Sequence, residues 1–212
     1  MRREKFEALK YAHGLGIPVP LAYEFSPETR TIWMEYVESD PLEEVWPKMS
    51  PDDKTSIAQQ LRSIISKLRS ERPENIFIGA INAVARDCRR FSDYTDGPFT
   101  NEASFNAFIL DLYRPTPIPI RDSLGAALRS DHEIVFTHAD LSLRNIIVRD
   151  GQIQGLVDWK FAGWYPEYWE YVKFFECCSS CKDWRNFAPT IFDTAYETEL
   201  VTQQAIIRWQ QP

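Results

Sequence analysis

No hydrophobic run in this chain approaches the roughly 18 residues that a membrane-crossing helix needs. The opening stretch MRREKFEALKYAHG carries charges but no apolar centre, so it does not read as a secretory signal. Cysteine is scarce, four in 212 residues, which excludes a disulfide scaffold. A reducing, cytoplasmic setting is therefore expected. Basic residues are outnumbered, 24 Lys and Arg against 31 Asp and Glu, for a net charge of −7. A nucleic-acid partner needs clustered cations and is not expected. Glycine is scarce too, eight residues in all, and Gly14 and Gly16 belong to the turn before Pro18 rather than to a phosphate-cradling loop. Repeats and low-complexity segments are missing. Cys178 and Cys181 form a CxxC beside Cys177, but zinc takes four ligands and no second pair follows. The three histidines, 13, 132 and 138, lack metal-ligand spacing, and Ser142 lacks a nucleophile-elbow motif.

What is present is an ordinary globular composition, 44% hydrophobic and 26% charged, in a length that suits one domain or one domain with part of another. A helix is predicted over residues 2–13, then strands Leu21–Phe25 and Thr31–Val37 around Ser26-Pro27-Glu28. Asp40 and Pro41 start a short helix. Residues 51–71 carry one apolar stripe of Ile57, Leu61, Ile64, Ile65 and Leu68, the clearest helical pattern in the chain. Residues 79–100 look irregular. Helices are expected over Asn101–Tyr113, Ile120–Leu128, Tyr165–Cys178 and Ile191–Trp209, and a short strand over Ile134–Thr137.

The chemistry concentrates in residues 134–158, IVFTHADLSLRNIIVRDGQIQGLVD. Asp150-Gly151 is a strong two-residue hairpin signal between Ile146–Val148 and Ile153–Val157. Pairing Arg149 with Gln152 sets Asn145 opposite Leu156 and Leu143 opposite Asp158. Asn145 and Asp158 then become diagonal neighbours at the open end, suited to one hard cation such as Mg²⁺. His138 and Asp140 lie on the loop just before. A carboxylate there can take the proton of a substrate hydroxyl while a metal steadies a nucleotide's phosphates, the division of labour of phosphoryl transfer.

The pattern His138-x-Asp140-x-x-x-x-Asn145, followed by Asp158-Trp159, resembles the aminoglycoside phosphotransferase and choline kinase family. The stretches GIPVP, WMEYVES, FTHADLSLRNIIVRDG and DWKFAGWYPEYWEYVKF look like its fungal branch. The resemblance implies an α+β, protein-kinase-like fold, with a truncated N-lobe (1–37, hinge at 34–37) and a mostly helical C-lobe (38–212) that holds the catalytic hairpin. It implies ATP and Mg²⁺ as cofactors and a small-molecule hydroxyl as acceptor. Asp140 matches the family's base, His138 its loop histidine, and Asn145 and Asp158 its metal ligands. The backbone of Glu35 and Val37 matches the adenine-binding hinge. Glu7 matches the glutamate that pairs with a phosphate-binding lysine.

That lysine and the phosphate loop lie upstream of the first helix in the family, and the 212 residues contain neither. Lys5 and Lys10 share a helix with Glu7, so neither is expected to face it across a cleft. The expectation is an impaired phosphotransferase or fragment. The alternatives are a catalytically inactive pseudokinase acting as a binding or regulatory module, or activity through an unusual arrangement. The aromatic run 164–171 reads chiefly as core. Glu167 and Glu170 could face a cationic acceptor, with Glu170 the stronger candidate. Lys160, where relatives often carry an acid, argues against a cationic aminoglycoside.

Overall fold

The computed structural model describes residues 2–74, 77–81, 84–89, 92–111, 116–177 and 180–209. Helix α1 (Arg2–Gly14) turns Ala8, Leu9 and Ala12 inward and ends where Gly16 takes a positive φ of 68°. Tyr11 sets its ring edge-on against Phe136 and Trp164, which ties α1 to the body of the molecule. Strands β1 (Ala22–Ser26) and β2 (Thr31–Met34) form a two-stranded antiparallel sheet with Tyr23 and Trp33 exposed. The predicted second strand stops three residues early. Beyond Met34 the chain stays extended, and Glu35 donates its N–H to Leu21 O at 2.8 Å.

A two-residue strand β3 (Asp40–Pro41) leads into the one-turn α2 (Leu42–Val45). Helix α3 (Pro51–Arg69) follows the sequence expectation closely. Ser50 caps it by accepting the Asp53 N–H at 3.1 Å, Pro51 opens the first turn, and the whole apolar stripe is buried. Acids in its first turn and bases in its last suit the helix dipole.

The segment read as irregular contains three strands: β4 (Gly79–Ala80), β5 (Ala85–Arg89) and β6 (Ser92–Asp96), the last two paired as a hairpin. Their polar sequence lacks the alternation by which strands are recognised. Helices α4 (Glu102–Asp111) and α5 (Ile118–Ala127) follow, the second starting two residues before its predicted position. The predicted end of the first, at Tyr113, lies outside the described residues.

Strand β7 (Ile134–Thr137) falls where expected. Strands β8 (Ile146–Arg149) and β9 (Gln152–Leu156) form the hairpin, and β3 pairs with β8 to make a three-stranded sheet. The helix predicted from Tyr165 is instead strand β10 (Gly163–Pro166) followed by α6 (Trp169–Glu176). Every residue of β10 is buried between β4 and β7, and an all-buried aromatic segment shows no period to distinguish strand from helix. Cys178, its predicted end, is outside the described residues. The C-terminal helix predicted from Ile191 begins six residues later, as α8 (Glu197–Trp209), and Ile191 instead ends the one-turn α7 (Ala188–Ile191).

The core is aromatic. Trp46, Trp159, Trp169 and Trp184 are fully buried, and Tyr165 stacks on Trp169 at 5.7 Å. No described helix is long and apolar enough to cross a membrane.

Candidate active site

The hairpin begins as the sequence implies, with Arg149 opposite Gln152 and Val148 opposite Ile153. Its register then slips by one residue, pairing Ile147 with Gly155 and Ile146 with Leu156. A bulge of this kind leaves one extra residue on one strand, and alternation alone does not reveal it. The predicted pairs Asn145 with Leu156 and Leu143 with Asp158 are therefore wrong by one position. Asn145 instead accepts the Val157 N–H on its backbone oxygen at 2.9 Å, next to Asp158.

Val157 also joins the preceding loop to this strand. His138 Nδ1 accepts the Asp140 N–H at 3.2 Å, which leaves Nε2–H to donate to Val157 O at 3.0 Å. Burial lowers the His138 pKa, outweighing the nearby Asp140 and Asp158 charges, so the ring is neutral and holds the loop's shape. Asn145 Nδ2 donates to Asp140 O at 3.0 Å, which leaves its Oδ1 as the group able to coordinate a cation. His138, Asp140 and Asn145 thus form one hydrogen-bonded unit tied to Val157, and Asp158 follows Val157 directly in the chain.

Ala139 sits at a positive φ of 63°, a conformation costing about 1–2 kcal/mol for an L residue. Glu170 compensates. Its buried carboxylate accepts the N–H of His138 at 2.6 Å and of Ala139 at 2.9 Å. Burial pushes its pKa up to about 7 against the pull of these two donors. Glu170 therefore positions the loop from behind rather than facing an acceptor. Glu167 is also structural: it pairs with Arg69 at 3.3 Å and accepts the Tyr196 hydroxyl at 2.7 Å.

Asp140 is buried, with Arg144 Nη2 3.3 Å from Oδ1 and the Cys177 thiol donating to the same oxygen at 3.3 Å. Burial raises the Cys177 pKa far above its ordinary value, so the sulfur stays protonated as a donor. Asp158 is itself at a positive φ of 64°, and an aspartate tolerates that region better than most residues. Lys5 Nζ lies 3.1 Å from its Oδ1 and Lys160 Nζ 3.2 Å from its Oδ2. Desolvation works against the charged form, but the two ammonium groups win and hold the carboxyl below its ordinary range.

Lys5 is the participant that sequence reasoning set aside. Its relation to Glu7 concealed its reach to Asp158, 153 residues away. Glu7 itself is half-buried on α1. Glu35 is exposed, with its carboxylate accepting the Leu21 N–H at 3.1 Å. Val37 lies against β9, its Cγ2 3.7 Å from where a Cβ on Gly155 would stand.

The profile of the phosphotransferase enzyme family (APH) matches residues 2–203. The chain belongs to that family. Its fold is the protein-kinase-like one of the aminoglycoside phosphotransferases. Aminoglycoside-3'-phosphotransferase of type VIII superposes with a TM-score of 0.61 at 16% identity, covering 97% of this chain and 79% of that one. The ADP-bound aminoglycoside phosphotransferase APH(2'')-Ib gives 0.64 at 14%, covering 96% and 71%. The streptomycin–ATP ternary complex of APH(2'')-IIa gives 0.63 at 12%, covering 95% and 69%. No curated protein sequence matches the chain.

Among the described residues no group of three or more His, Cys, Asp or Glu could hold a metal. The donors present, one amide oxygen on Asn145 and one carboxylate on Asp158, fit Mg²⁺ in kind. That ion typically takes one or two protein oxygens and completes its shell with phosphates and water.

Proposed function

We propose that this protein transfers a phosphate group from ATP to a hydroxyl of a small molecule, with a rate impaired relative to its family. The observation that carries this reading is the unit His138–Asp140–Asn145–Val157–Asp158, in which one loop and one hairpin are locked together by hydrogen bonds to a single residue. In this reading residues 1–37 are the remnant of the smaller lobe and 38–212 the larger. The Glu35–Val37 backbone meets the adenine edge, and Glu7 borders the phosphates from α1. Asp140 accepts the proton of the acceptor hydroxyl as its oxygen bonds to the γ-phosphorus, and the bond from that phosphorus to the β,γ-bridging oxygen breaks. His138 and Glu170 keep Asp140 aimed. For transfer, Asn145 and Asp158 would hold Mg²⁺, which would help neutralise the phosphates, in competition with the Lys5 and Lys160 ammonium groups at Asp158. Solved relatives carry ATP, ADP or GDP and bind streptomycin, gentamicin or kanamycin, which supports a nucleotide donor and a small-molecule acceptor here. The chemistry suits a cytoplasmic location, where ATP is available.

A second reading, a pseudokinase that binds nucleotide without turning it over, is favoured by the two ammonium groups already paired with Asp158. Radiolabelled ATP with a panel of hydroxylated small molecules, at high protein concentration, separates the two. Slow transfer is expected. Asp140→Ala should reduce it by about 100-fold or more while leaving ATP affinity nearly unchanged. Binding without transfer favours the second reading. Transfer unaffected by Asp140→Ala contradicts the role given to that residue.

A further inference from the structure

We propose that Lys5 and Lys160 together take the place of a divalent cation at Asp158, so that a nucleoside triphosphate binds this site without a metal. This rests on the nucleotide reading above and concerns binding rather than transfer.

Each oxygen of the Asp158 carboxylate has its own ammonium partner, Oδ1 with Lys5 at 3.1 Å and Oδ2 with Lys160 at 3.2 Å. Each oxygen keeps a second lone pair, but a cation approaching either one meets an ammonium group already beside it, and like charges repel. The charges balance as a substitution: two ammonium groups carry the +2 of one divalent ion, and with Asp158 the cluster keeps a net +1. An ammonium also has three N–H donors. With one spent on Asp158, two remain for phosphate oxygens, so each lysine can bridge carboxylate to phosphate as a metal ion does.

The two lysines are delivered from separate, anchored places. Lys5 projects from α1, whose inner face is buried through Ala8, Leu9 and Ala12 and pinned by Tyr11. Lys160 lies in the short helical turn Trp159–Phe161, with its ammonium 4.8 Å from the centre of the Phe161 ring. Neither is sealed in. The side chains of Lys5, Lys160 and Asp158 are 26%, 35% and 29% exposed, open to a ligand from solvent. One lysine would suffice to neutralise Asp158. The second leaves a positive surplus that a polyphosphate satisfies.

Calorimetry of the full chain with ATP, once in excess EDTA and once in millimolar MgCl₂, tests this. The expected result is a dissociation constant that differs less than threefold between the two buffers. Lys5→Met should weaken binding in EDTA by tenfold or more and make it respond to Mg²⁺, and Lys160→Met should act in the same direction. Wild-type binding that weakens tenfold or more in EDTA overturns the proposal, and that comparison needs no variant to fold. Lysine variants that bind in EDTA like the wild type overturn it as well. A wild type that binds no ATP in either buffer contradicts the nucleotide reading itself, and the proposal falls with it.

Discussion

His132 shows how one buried side chain can set a pH dependence. Its Nδ1 lies 2.7 Å from Glu102 Oε1 and its Nε2 3.3 Å from Glu199 Oε1, the latter an ion contact without hydrogen-bond alignment. All three side chains are almost wholly buried. Burial alone would lower the His132 pKa, and Arg129 pushes the same way. The Glu102 hydrogen bond and the charges of Glu102 and Glu199 together raise it. Only the imidazolium places a positive charge between the two carboxylates. Because the folded-state pKa is raised, the stabilisation is complete below the unfolded value of about 6.5 and is lost as pH rises through the folded one. Glu170 also makes stability fall with pH, but between its ordinary 4.5 and about 7. Urea unfolding from pH 5.5 to 8.5 should show stability declining. His132→Gln should flatten the part above the ordinary histidine value of about 6.5, and His132→Ala should cost roughly 3 kcal/mol or more at pH 6, since it removes the cation between two buried carboxylates. A slope unchanged in His132→Gln would contradict this account.

At the scale of elements, the central three-stranded sheet depends on a close approach. A Cβ placed on Gly163 would stand 2.3 Å from Gly79 O and 2.7 Å from Ala80 Cα, so β4 can lie against β10 only because this residue is glycine. Gly163→Ala should destabilise the protein by about 2–3 kcal/mol, seen as a lower urea midpoint with an unchanged slope. A midpoint within error of the wild type would mean that β4 is free to move aside. Legibility also varied by element. The α3 stripe was plain because its period repeats over about three turns, and the Asp150-Gly151 turn because few residues make it. The β5–β6 hairpin and β10 were hidden for opposite reasons. One is too polar to alternate, and the other is too buried. The bulge in β8–β9 was invisible because a one-residue slip leaves composition untouched. In the site, Asp140, Asn145 and Asp158 stood out by spacing, whereas Lys5 and the supporting role of Glu170 depend on contacts 153 and about 30 residues apart.

At the scale of the molecule, α1 is the element through which the N-terminal segment reaches the candidate catalytic unit. It buries Leu9, rests Tyr11 on Phe136 and Trp164, and sends Lys5 to Asp158. In the same segment, Tyr23 and Trp33 on the two-stranded sheet and Tyr36 just beyond it are exposed. A cleft of about 440 Å³ lined by Arg72, Asn101, Glu102, His132 and Glu133 belongs to the His132 cluster and not to the candidate catalytic unit. The proposed function places nucleotide phosphates between α1 and the open end of the β8–β9 hairpin. A crystal structure with a non-hydrolysable ATP analogue measures this directly. The account predicts a triphosphate within hydrogen-bonding distance of the Lys5 and Lys160 ammonium groups, with the γ-phosphate toward Asp140 and the adenine at the Glu35–Val37 backbone. A nucleotide seated in the His132 cleft, or one bound with Lys5 and Asp158 untouched, would contradict it.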